Sequence, residues 1–167
     1  MKHTAIILIL LSTGFPGFQH RYTDFSGTWA LDMKKSQNLA PSFKSVTSFR
    51  MNVQQTNDSI IINRHMSGSG QTLDLPPLSY RFGGPEVFRE DTLRGTKHWT
   101  TAAWETTGQK FIVNDRTVRR QGEKEQHYTQ TEVWQFGKKN MLMILLTQKF
   151  DEGDSTHTER RYYRRVE

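Results

Sequence analysis

The sequence predicts an all-β protein, an antiparallel up-and-down meander of about 8–10 strands closed into a barrel. Three observations carry that expectation. Past the first twenty or so residues, apolar side chains recur at spacing two rather than at three and four. Short polar turns such as "QTND", "GKKN" and "DEGD" break the chain at regular intervals. Threonine, tyrosine, tryptophan and valine are frequent in the alternating runs, where they suit a pleated surface. A lone meandering sheet of that size would expose one apolar face and two edges, and closure removes both problems.

The first segment stands apart. Lys2 and His3 give a basic start, Ala5 to Leu11 is an unbroken apolar run, and "STGFPGFQH" follows. The run is far shorter than the roughly 20 apolar residues of a membrane-spanning helix. Its layout is that of a secretory signal peptide over residues 1–20, which leaves residues 21–167 as one barrel domain. A secreted or periplasmic protein of a bacterial envelope is expected, with no stable membrane insertion after cleavage. There is no cysteine, hence no lipid-anchor motif and no disulfide. Core burial and hydrogen bonding must hold the fold without them.

The strands follow in order. Phe25, Trp29 and Leu31 punctuate the first. Thr47, Phe49, Met51 and Val53 alternate with polar residues, and Ile60, Ile62 and Met66 face away from Asn63 and His65. These two runs around Asn57-Asp58 read as a hairpin. Glycine and proline clusters break "SGSGQTLDLPPLSYRFGGPE", leaving short strands near residues 79–82 and 87–89. "HWTTAAWETTGQKFIVNDRTVRR" contains two strands about a Gly108 turn. In "EQHYTQTEVWQF" one face collects Tyr128, Gln130, Glu132, Trp134 and Phe136. The apolar "MLMILLTQKF" and the arginine-rich "THTERRYYRRV" close the chain.

The formal charge is +6, and its excess is concentrated in "ERRYYRR". A cluster on one strand end is not a phosphate-tracking stripe, so nucleic acid is not expected as a partner. Period two puts Arg160, Tyr162 and Arg164 on one face and Arg161, Tyr163 and Arg165 on the other. In either register some arginine points inward, where it must be paired, stacked or hydrated.

Catalytic signals are thin. His65, His98, His127 and His157 lie on separate strands or turns without metal-ligand spacing, and each is expected to face outward. Asp24, Asp32, Glu105, Asp115 and Glu132 are expected to pair across strands with arginines. No serine sits in a nucleophile elbow, and "FGGPE" is not a phosphate loop. Trp99 and Trp104 differ by five positions and so take opposite faces.

"FSGTWALD" resembles the first strand of the lipocalin and fatty-acid-binding-protein superfamily, and the whole mature pattern resembles small secreted bacterial lipocalin-like proteins. The resemblance implies that Gly27 and Trp29 build the closed base of the barrel, with Arg165 stacked over Trp29 to seal it. It also implies, through the "R-x-Y-x-x-V" match of the fatty-acid carriers, that Arg161 and Tyr163 hold a ligand carboxylate. Only "KKSQNLAPSFK" lies between the first two strands, too short for the helical lid of those carriers. The expected function is non-catalytic binding of a small, mostly apolar or carboxylate-bearing ligand inside a monomeric barrel. No cofactor, metal or catalytic residue is expected. The alternative is a barrel filled by its own side chains, whose basic last strand meets an acidic envelope partner.

Overall fold

A computed structural model describes residues 22–92, 95–122, 124–152 and 155–166. The signal-peptide reading of residues 1–20 lies outside them. Ten antiparallel strands form one sheet: β1 (Gly27–Leu31), β2 (Val46–Gln55), β3 (Ser59–Gly68), β4 (Gln71–Arg81), β5 (Val87–Asp91), β6 (Thr96–Trp104), β7 (Phe111–Gln121), β8 (Lys124–Phe136), β9 (Leu142–Phe150) and β10 (Thr156–Arg165). Their order is β4-β3-β2-β1-β10-β9-β8-β7-β6-β5. Chain neighbours other than β4 and β5 pair antiparallel, and β1 joins β10 with Trp29 opposite Arg165 and Leu31 opposite Tyr163. Between β1 and β2 there is a single 3-10 turn, Pro41–Ser45.

The expected closure into a barrel is corrected at one seam. The paired sheet ends at β4 on one side and β5 on the other, and no strand pairing joins them. The chemistry of the segment explains this. Pro76 and Pro77 stand within β4 and have no N–H to offer a further neighbour. The β3–β4 register shifts between Ile62 and Arg64, and β5 is only five residues long. Among the described residues one backbone hydrogen bond runs across the seam, from Gly83 N–H to the Ala102 carbonyl at 2.9 Å.

Side chains nevertheless bring the two ends of the sheet around a common core. Phe82 from the end of β4 meets Trp104 of β6 at 5.6 Å and Phe111 of β7 at 5.5 Å between ring centroids. Tyr80 meets Phe111 at 6.1 Å. The same buried cluster takes in Phe25, Trp29, Phe49, Met51, Val53, Ile60, Ile62, Trp134, Leu142, Ile144 and Tyr163. The period-two faces hold throughout: Phe49, Met51 and Val53 are buried, as are Ile60 and Ile62.

One end of the core is an aromatic floor. Trp29 is 1% exposed and its indole N–H donates to the Phe25 carbonyl at 2.9 Å. Phe25 stacks on Trp104 at 5.6 Å, and Trp104 meets Phe111 at 5.4 Å. The Arg165 guanidinium lies over the Trp29 ring at 5.6 Å and donates to the Ser26 carbonyl at 3.0 Å. Gly27 is required here, because its φ is +131° and an added Cβ would stand 2.9 Å from the Arg165 guanidinium. Trp99 lies on the opposite face from Trp104, between Arg116 at 4.5 Å and Phe88 at 5.2 Å.

Burying an indole of this kind contributes about 2–3 kcal/mol. Trp29→Ala is therefore expected to cost about 3–5 kcal/mol, the cavity left behind adding to the lost transfer energy. Trp99→Ala, which loses mainly a cation–π contact and a surface ring pair, is expected to cost about 1 kcal/mol. Urea-unfolding midpoints of the two variants check the ordering, and equal losses would refute the assignment of Trp29 to the floor.

Candidate functional site

Above the aromatic floor the inward faces turn polar, because the same strands that supply rings at one end supply charged residues two and four positions on. On β7 the buried Phe111 and Val113 are followed by Asp115 and Thr117. On β8 Trp134 is preceded by Glu132 and Gln130, on β6 Ala102 by Thr100 and His98, and on β3 Ile60 and Ile62 lead to Arg64. Of these, Arg64, His98, Thr100, Val113, Asp115, Gln130 and Glu132, together with Tyr80 of β4 and Arg89, Glu90 and Asp91 of β5, line a cavity of about 800 Å³.

Two hydrogen-bonded groups organise its wall. Asp115 accepts from Thr100 at 3.0 Å through Oδ1, and from His98 Nδ1 at 2.9 Å and Thr117 at 3.1 Å through Oδ2. The imidazole thus keeps its proton on Nδ1, the tautomer assigned by that contact. Thr100 in turn accepts from the Arg89 guanidinium at 3.2 Å. Glu132 accepts from Gln130 at 3.2 Å and from the Trp134 indole at 3.1 Å.

The phenols respond to this setting. Burial raises the Tyr80 phenol well above its ordinary value, with Glu132 adding to the effect and Arg89 and Arg64 opposing it. Burial pushes Tyr163 up to about 12. Burial also lowers the Arg64 guanidinium from its ordinary value, opposed by Tyr80 and Glu132.

The face of β10 that the sequence left open is decided in favour of Arg161, Tyr163 and Arg165. Tyr163 is 2% exposed and packs against Phe49 at 6.4 Å. Arg161 points inward too, but its guanidinium is engaged. Its Nε donates to one oxygen of the buried Glu159 at 2.8 Å, its NH2 stands 2.7 Å from the same oxygen as an ion pair, and it lies over Phe43 at 5.2 Å. His157 stands 3.5 Å from the other Glu159 oxygen. Arg165 belongs to the floor, with Gly27 and Trp29.

Two expectations are corrected. His98 does not face outward: its phase on β6 is that of the buried Thr100 and Ala102, so it points into the cavity, and His157 shares the inward phase of Glu159 and Tyr163 on β10. The carboxylates do not all find arginines. Asp24 accepts from the Ser26 N–H, Asp32 stands 3.6 Å from Lys35, Glu105 3.4 Å from Lys110, and Asp115 and Glu132 bind hydroxyl, imidazole, amide and indole donors. His65 does lie on the outer face, 2.6 Å from Asp74. These two line an open trough with Arg50, Asn63 and Arg64, where His65 and Asp74 meet each other.

Arg64 and Arg89 were not foreseen as site residues. For Arg64 the signal was present, since it continues the phase of Ile60 and Ile62; Arg89 lies on a five-residue strand with no such pattern. Among the described residues no group of three or more histidine, aspartate or glutamate side chains stands ready to hold a metal ion. No helix among them is long and apolar enough to cross a membrane. No protein-family model and no curated protein matches this chain.

The raised phenols set an alkaline limit. The folded value of Tyr163 exceeds the unfolded value of about 10. Its stabilising contribution is therefore present below about pH 10 and is lost as pH rises from there toward about 12. Urea midpoints followed upward from neutral pH should fall above about pH 10, and less steeply in Tyr163→Phe. An identical alkaline slope in the variant would remove Tyr163 as a cause.

Proposed function

We propose that the curled sheet acts as a lipocalin-like container, exported to the cell envelope or beyond, that binds a small molecule in its interior without converting it. The observation that carries this reading is the cavity of about 800 Å³ above a packed aromatic floor, within the range of small-molecule pockets. The interior is not filled by its own side chains, which speaks against the purely structural alternative. A non-catalytic role is supported by the wiring of the polar groups. The hydroxyls next to His98, on Thr100 and Thr117, both donate to Asp115 and are not set up as nucleophiles. Inclusion among lipocalin-like proteins rests on "FSGTW", the meander and the Arg165 stack over Trp29.

The test uses 8-anilinonaphthalene-1-sulfonate, whose fluorescence rises in a water-poor cavity. Native protein with a cooperative melting transition should bind it with a dissociation constant in the micromolar range, about 10–100 μM. Gln130→Trp, which adds bulk to the cavity wall from a half-buried position, should weaken binding by about tenfold while the melting transition stays cooperative. Absence of binding, or equal binding by the Trp variant, would sink the container reading.

A further inference from the structure

We infer that the interior cavity takes a small hydrophilic monocarboxylic acid, with the carboxylate held by Arg64 and Arg89. The inference rests on the container reading and adds to it the chemistry of the guest.

Three of the arginines already have partners. Arg161 has Glu159, Arg116 has Glu86 at 3.6 Å and the Trp99 ring, and Arg165 has a carbonyl and the Trp29 ring. Arg64 and Arg89 differ. Among the described residues neither has a carboxylate within 4.0 Å. Arg64 makes one hydrogen bond, from NH2 to the Pro76 carbonyl at 2.9 Å, and its Nε is buried without a partner. Arg89 makes one, to Thr100. A buried guanidinium donor without an acceptor is costly, and an arginine does not escape that cost by losing its proton.

The cavity's own carboxylates do not close this gap. Asp115 already has three donors and Glu132 two, while Glu90 and Asp91, which line the cavity from β5, stand beyond 4.0 Å of both guanidinium groups. An incoming carboxylate supplies what is missing, because its two oxygens match the planar fork of a guanidinium. Asp115 and Glu132 also limit the charge of the guest, since a dianion would be repelled more strongly than a monoanion. The Tyr80 phenol, kept protonated by burial, provides a neutral donor on the same wall.

The remainder of the lining is mixed, with Leu75, Leu78 and Val113 beside Thr100, His98 and Gln130, and it suits a small ring or short chain carrying polar substituents better than a long alkyl chain. Thr100, His98 and Gln130 present hydrogen-bonding groups, and no hydrogen bond engages His98 Nε2 among the described residues. Burying methylenes against His98 Nε2 would leave it unpaired, whereas a hydroxyl or amino substituent would meet it.

The experiment titrates uniformly 15N-labelled protein with 4-hydroxybenzoate, 4-aminobenzoate and D-gluconate. Controls are the corresponding carboxamides, phenyl phosphate and octanoate. At least one of the three acids should shift the Nε–H resonances of Arg64 and Arg89, leave that of Arg161 in place, and bind about tenfold more tightly than its carboxamide. That preference should vanish in Arg89→Met and in Arg64→Met. If Arg64→Met does not fold, the resonances and Arg89→Met still decide. The inference fails while the container stands if anilinonaphthalene sulfonate binds and none of the acids does. It fails likewise if carboxamide, octanoate or phenyl phosphate binds as tightly as the acids, or if only Arg161 responds. Should the sulfonate dye and every acid fail to bind, both readings fall together.

Discussion

Aromatic contact across an unpaired seam is the interaction on which this architecture depends. A hydrogen-bonded sheet whose outer strands do not pair is free to flatten, and one backbone bond from Gly83 to Ala102 is a slender restraint. Phe82 and Tyr80 hold the β4 end against Phe111 and Trp104, while Phe25 stacks on Trp104 from the strand entry on the other side. Aromatic pairs of this geometry contribute about 0.5–1.5 kcal/mol each beyond the area they bury. Several together supply what strand pairing supplies elsewhere in the sheet. Trp29 then completes the floor, and Arg165 covers it from the solvent side.

Concentrating the rings at one end has a consequence for the other. Once the floor keeps the ends of the sheet together, the upper interior is released from the demand to be apolar. It is instead held by hydrogen bonds that each have a named donor and acceptor. A polar interior is stable only if its groups are satisfied, since an unpaired buried polar group is costly in a low dielectric. Asp115, Glu132 and Glu159 meet that condition. Of the two buried donors without a partner among the described residues, the Trp104 indole N–H lies in the packed floor, and the Arg64 Nε stands where the cavity is open, with Arg89 on the same lining. The coincidence of unmet donors with space is what distinguishes a binding site from a poorly packed core.

Much of the fold was legible because period two is a property of the strand itself. Phe49, Met51 and Val53, and then Ile60 and Ile62, announce an inward face in any register. The floor was legible in part, since Gly27 and Trp29 stand together in a recognisable phrase. What could not be read was the far side of each pair. The seam depends on Pro76, Pro77 and a register shift near Ile62, whose effect appears only when β3 and β4 lie side by side. His98 looked like an outward histidine because Asp115 is seventeen residues away in sequence and adjacent only through β6–β7 pairing. Arg64 follows the phase of Ile60 and Ile62, but a charge at an inward position is easily taken for a break in the pattern. Its location in the cavity becomes apparent only with β4 and β5 in place.

The four inward arginines show why residue type and strand phase do not suffice to assign a role. All four sit on inward faces, yet their surroundings differ by what the neighbouring strand or the next residue but one provides. Arg165 finds an indole opposite it in register on β1. Arg161 finds Glu159 two positions away on its own strand, so its charge is answered before any guest arrives. Arg89 reaches only a threonine hydroxyl that is itself committed to Asp115. Arg64 reaches only the carbonyl of Pro76. The pair on β10 most like a carboxylate clamp in sequence is therefore the one least free to act as one. Free guanidinium capacity lies on β3 and β5, on either side of the weakest part of the sheet, where β4 offers a carbonyl and a phenol but no carboxylate among the residues lining the cavity.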